Sequence, residues 1–173
     1  RRNDGKWVLI YMGENSSGKF QVGYATSDLL TSGYQKYDNG DAANEGLFIP
    51  LGSSGSFDFG MVCHPWAYEF EGTYYIGYTA SSTTTPPYST ALATTTDWNS
   101  IIKHGVIIPA GSEGTTFRGA IARIGDEYVF SYTRGSASPF TSGIATQPVM
   151  MELTAEEVGA GEVFDFYDDF NGT

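Results

Sequence analysis

Two short stretches of this 173-residue chain hold the side chains best suited to chemistry. The first, Ser56-Phe57-Asp58-Phe59-Gly60-Met61-Val62-Cys63-His64-Pro65-Trp66, offers a carboxylate, an imidazole and an indole. The second, Gly111-Ser112-Glu113-Gly114-Thr115-Thr116-Phe117-Arg118-Gly119, offers a carboxylate, a phenyl ring and a guanidinium. Two carboxyl groups flanking one bond can divide the work of acid and of base or nucleophile. A guanidinium holds a hydroxyl or a carboxylate in a two-point grip, and aromatic rings such as Trp66, Tyr68 and Phe117 offer broad apolar faces. Each residue also has a plainer reading. Asp58 can cap a turn through nearby backbone amides, and Glu113, between glycines, can be a solvated loop charge. Arg118 can pair with Asp58 or another acid, His64 can be a satisfied polar residue, and any single aromatic is more often core.

The elements that must position these residues are strands. Apolar runs rich in Tyr, Thr, Phe, Val and Ile are punctuated by Gly, Ser, Asn, Asp and Pro. They predict strands near 7–12, 20–26, 61–70, 74–80, 89–95, 119–124, 128–134 and 141–146. No stretch holds a helical period for long; Ser27–Leu30 and Leu153–Val158 allow one turn each. Three stretches read as copies of one unit. Trp7-Val8-Leu9-Ile10-Tyr11, Tyr74-Tyr75-Ile76-Gly77-Tyr78 and Tyr128-Val129-Phe130-Ser131-Tyr132 are each followed by a second run containing Ala25, Ala93 or Ala145. Repeats of roughly 40–50 residues with several strands each are the mark of propeller blades.

Turn chemistry locates the hairpins. Glu71-Gly72-Thr73 and Gly125-Asp126 each join an earlier strand to the Tyr-rich one, and Asn3-Asp4-Gly5 occupies the same place in the first unit. The first unit therefore lacks its preceding strand, giving about three strands there and four in each of the next two. The fold expected is all-β, a partial propeller of about three four-stranded blades over 1–161, with blades near 1–50, 51–110 and 111–158. Residues 162–173 depart from the repeat and read as a linker or the start of a following β-sandwich domain.

Composition excludes whole classes of partner. The formal charge is −11, with 17% of residues charged. Such a surface is unsuited to the phosphate backbone of nucleic acid and to anionic membranes. No apolar run approaches the length of a membrane span. Cys63 is the single cysteine, so no internal disulfide is possible, and its apolar surroundings suggest a buried, inert thiol. The absence of a leading methionine or signal peptide suggests a cut product or an internal fragment.

The run Phe57–Trp66, then Glu71–Thr79, Ala93-Thr94-Thr95-Thr96-Asp97-Trp98 and Gly105-Val106-Ile107-Ile108-Pro109, resembles a blade of the five-bladed propeller glycosidases. These comprise glycoside hydrolase families 43 and 32 with the related family 130 phosphorylases. Asp168-Asp169-Phe170-Asn171-Gly172-Thr173 is similar to the opening of the jelly-roll domain that often follows a family 43 propeller. The resemblance implies reactive carboxylates on the innermost strands, the first of each blade, which here are those around Met61–Phe70 and Gly119–Ile124. Asp58 and Glu113 become the catalytic candidates, with His64, Arg118, Trp66 and Phe117 on the substrate side. It also permits a central calcium near His64; no other cofactor is expected.

The chain departs from the pattern in having neither an Arg-Asp-Pro nor an Asn-Asp-Pro-Asn motif, and in lacking a strongly placed glutamate acid. A sialidase reading is weaker, because the Ser-x-Asp-x-Gly-x-x-Trp pattern is absent. Two functional classes follow: part of a secreted, extracellular or periplasmic, glycosidase-like propeller acting on polysaccharide or oligosaccharide, or a non-catalytic β-repeat module that binds carbohydrate or assembles with itself. In either, open blade edges favour self-association.

Overall fold

The computed structural model describes residues 1–111, 115–124, 127–135 and 141–148. Eleven strands form three antiparallel sheets among the described residues. The first contains β1 (Trp7–Glu14), β2 (Phe20–Ser27), β3 (Gln35–Lys36) and β4 (Leu47–Ile49), with β3 and β4 both pairing with β2. The second runs in order β5 (Met61–Phe70), β6 (Thr73–Ser81), β7 (Ser89–Thr95) and β8 (Ile102–Ile108). The third comprises β9 (Thr115–Ile124), β10 (Glu127–Gly135) and β11 (Thr141–Pro148), with β10 in the middle. Each sheet is built from consecutive strands, as blades are, and the fold is all-β, with one 3₁₀ turn among the described residues, at Ala42–Asn44.

The ladders confirm that the three units repeat. Tyr11 pairs with Gly23, Tyr78 with Ala91 and Tyr132 with Gly143. In each case the partner lies two residues before the repeated alanine, Ala25, Ala93 or Ala145. Unequal loops absorb the spacing difference. On this register β1, β6 and β10 are equivalent, and β5 and β9 are the strands that precede β6 and β10. The described residues contain no counterpart of β5 ahead of β1, and β1 is an edge strand. Asn3-Asp4-Gly5 does turn the chain there, with Gly5 at φ 82° and its amide donating to the Arg2 carbonyl at 2.9 Å.

Other expectations are refined. The third strand of the first unit is split into β3 and β4 by the insertion around Ala42–Asn44, so that unit has four short pieces. The strand expected at 119–124 begins at Thr115, because the bulge at Arg118-Gly119 lets pairing with β10 continue past it. Thr115 Oγ1 fixes that end by donating to the Gly135 carbonyl at 2.6 Å. The β5–β6 hairpin closes through Glu71 and Gly72 at φ 49° and 81°, the left-handed pair that a two-residue turn needs. Gly125-Asp126, Leu153–Val158 and the tail 162–173 lie outside the described residues.

The sheets meet through apolar faces. Between the first and second, Tyr24, Phe48 and Trp98 form an aromatic centre, with Tyr24 4.9 Å from Phe48 and 5.1 Å from Trp98 between ring centroids. The buried Tyr24 hydroxyl donates to the Trp98 carbonyl, and burial pushes its pKa up to about 12. Between the second and third, Ile108 joins Phe130, Tyr132 and Ala145, with Trp66 packed alongside. β5 packs against β1 and β2 on one side and β9 on the other.

Several of these rings lie flat on a glycine of the adjacent strand in their own sheet. A Cβ on Gly77 would sit 2.0 Å from the Trp66 ring, and one on Gly119 would sit 2.3 Å from Phe130. Gly77→Ala should therefore destabilise the fold by about 1–3 kcal/mol through overpacking. Gly13→Ala, where nothing lies within 4 Å, should change stability little. Denaturant midpoints of the two variants check this; equal midpoints would show that the Trp66 ring yields without cost.

Candidate functional site

Asp58 ends up buried in the segment that links β4 to β5. It is 2% exposed. Its Oδ2 accepts from Lys103 Nζ at 2.6 Å, and its Oδ1 accepts from Ser56 Oγ at 2.8 Å. Lys103, on β8, also donates to the Pro50 carbonyl at 2.6 Å. The two charges thus fasten the linking segment to the outermost strand of the second sheet. Gly52 admits this arrangement, since a Cβ there would lie 2.0 Å from Asp58 Oδ1. Nearby, Lys19 reaches the same segment, donating to the Phe59 carbonyl at 3.2 Å and lying 3.6 Å from the Phe59 ring centroid. Lys103 was not singled out from the sequence. The run Ile102-Lys103-His104 gives no local sign of the contact.

His64 and Arg118 form a second group, and its construction is repeated. β5 has a register shift between Cys63 and Trp66, and β9 has one between Phe117 and Ala120. His64 and Arg118 occupy the same place in these two bulges, with φ of 48° and 55°. Left-handed backbone at residues other than glycine costs on the order of 1–2 kcal/mol. Two cationic-type residues at matched bulges on successive inner strands therefore mark a place where side chains have been aimed out of the pleat.

The strands hold this pair side by side. The Arg118 amide donates to Thr79 Oγ1 at 3.3 Å, and Thr79 pairs in the β5–β6 ladder with Cys63, the neighbour of His64. His64 Nδ1 lies 3.2 Å from Cys63 Sγ. Burial lowers the pKa of half-buried His64, and the Arg118 charge lowers it further. Burial pushes the Cys63 thiol up to about 12 against the opposing pull of Arg118, which makes it the inert thiol expected. Arg118 itself is exposed. The group therefore sets the Arg118 guanidinium beside a neutral imidazole.

The remaining candidates are distributed as follows. Trp66 packs across Gly77 and lies 5.6 Å from Phe130, so its ring fills the space between two sheets. Tyr68 lies further along β5, half-buried. The Phe117 side chain and all of Glu113 lie outside the described residues. The structure thus brings His64 and Arg118 together, while Asp58 is fixed by Lys103. A calcium ion does not fit the residues at His64. The Arg118 charge opposes a cation there, and no group of three His, Cys, Asp or Glu side chains among the described residues could hold a metal.

No protein-family profile matches the chain, and no curated protein does. Solved structures do match. A family 117 glycoside hydrolase of the marine bacterium Zobellia galactanivorans superimposes with a TM-score of 0.74 at 14% identity, covering 98% of this chain and 53% of that one. A family 32 β-fructofuranosidase of Bombyx mori gives 0.63 at 15% identity, covering 96% and 34%. A β-1,2-mannobiose phosphorylase of Listeria innocua gives 0.57 at 16% identity, covering 75% and 33%. The fold is that of part of a glycosidase β-propeller. The chain spans between a third and about half of the length of these neighbours. In propeller terms β5 and β9 are the first strands of two successive blades, and His64 and Arg118 stand at matched points on them.

The Asp58–Lys103 pair yields a stability test. Lys103→Met leaves the buried carboxylate without its counter-charge and should cost about 3 kcal/mol. Asp58→Asn combined with Lys103→Met should recover much of that loss. Thermal or denaturant unfolding of the three proteins measures it, and additive losses in the double variant would mean that the two groups are not coupled.

Proposed function

We propose that this chain is a portion of a carbohydrate-active propeller that acts on an oligosaccharide or polysaccharide outside the cytoplasm. The observation that carries the reading is the paired bulge: two successive blades present His64 and Arg118 at strained backbone positions, in a fold shared with glycoside hydrolases and a glycoside phosphorylase. Hydrolysis in such an enzyme needs an acid and a second carboxylate. In this reading His64 and Arg118 contact the sugar. Asp58, closed off by Lys103, supplies a fixed buried charge, and Glu113 is the remaining acidic candidate on this chain. Trp66 shapes the wall from within the inter-blade packing.

Two measurements test this. Glycan-array binding and reducing-sugar release should both be positive for the protein in its native length, and Asp58→Asn should lower stability more than turnover per folded molecule. Loss of turnover with an intact fold would return Asp58 to the catalytic role. Binding without any turnover would favour the non-catalytic carbohydrate-binding module, and no binding at all would sink both.

Self-association has its own support. Leu9 and Tyr11 occupy the positions of Ile76 and Tyr78, and of Phe130 and Tyr132, in the other two sheets. Ile76 and Phe130 are fully buried, whereas Leu9 is 48% exposed. At the other end, Ile144 is 44% exposed where its equivalents Tyr24 and Leu92 are 1% and 8% exposed. The two faces suit each other as the inner faces of successive blades do, so a second copy can dock head to tail. Light scattering should show concentration-dependent association that Leu9→Lys weakens. A strict monomer at high concentration would count against it.

A further inference from the structure

We infer that a pocket on the outer face of the first sheet is a carbohydrate site separate from the His64 and Arg118 bulges, and that it takes a neutral sugar residue stacked on Tyr11. Its place is read from geometry and charge; the choice of a sugar rests on the carbohydrate-active reading above.

The platform comes first. Tyr11 pairs with Gly23 across β1 and β2, and both face away from the core that Val22 and Tyr24 enter. The Tyr11 ring lies flat over Gly23, where a Cβ would sit 3.0 Å from it, and its hydroxyl ends where a Cβ on Gly46 would stand. Two glycines thus take one face of the ring. The other borders a pocket of about 550 Å³, within the range of about 300–1,000 Å³ usual for small-molecule sites. An aromatic ring open on one side offers the broad apolar surface on which the C–H face of a sugar can lie. The insertion that splits the third strand of this unit supplies one wall, from Ala43 to Leu47, and the β1–β2 hairpin supplies another. In the second sheet the corresponding strand, β8, runs unbroken.

The polar groups around the ring are of both kinds. Gln21 Oε1 accepts from the Leu51 amide at 3.1 Å, and Asn15 Oδ1 accepts from the Ser17 and Lys19 amides at 2.9 and 3.0 Å. Both side chains are thereby oriented with their NH₂ groups left to donate. Burial raises the Tyr11 pKa and the nearby Glu45 charge raises it further, so the hydroxyl keeps its proton and donates as well. Lys36 adds a donor, while Glu14 and Glu45 accept. Sugar hydroxyls give and take hydrogen bonds, so this mixed set suits them. A uronate or sulfate group only accepts, and it would meet two carboxylates against one ammonium in a chain of formal charge −11.

Charge also says what does not cover this end of the sheet. Glu14, Lys36 and Glu45 are exposed, and none forms an ion pair among the described residues. An apolar sheet laid over them would strip water from unpaired charges; a hydroxyl-rich ligand replaces that water. Leu9 lies outside the pocket, so the apolar end of the face, where a second copy can dock, is distinct from it.

Isothermal titration in the Leu9→Lys background, which keeps a second copy off this face, tests the inference. The probes are cellotetraose, xylotetraose, galactotetraose, tetragalacturonate and tetraglucosamine. At least one of the three neutral sugars should bind, and more tightly than the acidic and basic ones. Tyr11→Ala should weaken that binding by about tenfold or more through loss of the platform, whereas Tyr11→Phe should keep most of it. Gln21→Glu keeps an acceptor for the Leu51 amide but removes the donor. It should weaken binding with circular dichroism unchanged, which keeps the site testable if Tyr11→Ala fails to fold. A neutral-sugar affinity unmoved by Tyr11→Ala and Gln21→Glu overturns the inference and leaves the carbohydrate reading standing, as does tighter binding of tetragalacturonate or tetraglucosamine. No binding of these five probes beside a positive glycan array overturns the inference alone; no binding in either overturns both.

Discussion

Everything about this chain depends on aromatic rings that lie flat along their own sheet and from there reach the next one. They lie flat where the adjacent strand of the same sheet has no side chain in the way. Trp66 rests on Gly77, Phe130 on Gly119 and Tyr132 on Gly143. A β-carbon at any of these positions would push the ring off its sheet, and the contacts that the ring makes with its neighbours would shift with it. Aromatic pairs contribute about 0.5–1.5 kcal/mol each beyond the area that they bury, and the Tyr24, Phe48 and Trp98 cluster makes several such contacts at one interface. The inter-sheet packing, Trp66 against Phe130 among it, sets the spacing of β5 from β9.

That spacing is what makes a site. His64 and Arg118 are 54 positions apart by their numbers, in different blades, and neither blade alone could hold them together. They meet because β9 packs against β5 and because the Arg118 amide reaches the Thr79 hydroxyl. The bulges then use the same backbone device twice, at a cost in strain that the surrounding ladders absorb. Conversely, the linking segment with Asp58 is tied to the far edge of its blade through Lys103. A buried charge pair of this kind fixes position more than it adds stability, and here it fixes the path by which the chain enters β5.

The outer faces of the first and third sheets tell the same story from the other side. Leu9 and Ile144 stand exposed where their equivalents inside the chain are covered. Each sheet has two apolar faces, and three sheets in a row satisfy only the inner ones. The neighbouring structures are longer, and this chain spans a third to about half of them.

The sequence by itself determined the strands, the repeat and the hairpins. Period-2 runs of Tyr, Val, Ile and Thr can bury one face only as strands. The repeated tyrosine and alanine positions fall in one register because each unit solves the same packing problem. Glu71-Gly72 and Asn3-Asp4-Gly5 turn where their tolerance of positive φ allows. Cys63 read as a buried thiol because its neighbours are apolar, and it is one. The tertiary structure alone decided which charges meet. Sequence weighed Arg118 as a partner for Asp58, yet the side chain that reaches Asp58 is Lys103, from 45 residues further on. Nothing local in Ile102-Lys103-His104 reveals that contact. The matched bulges were equally hidden, since a bulge is a mismatch between two strands and not a property of either one. Ion pairs and bulges form across sheets, so they become visible only when the sheets are in place.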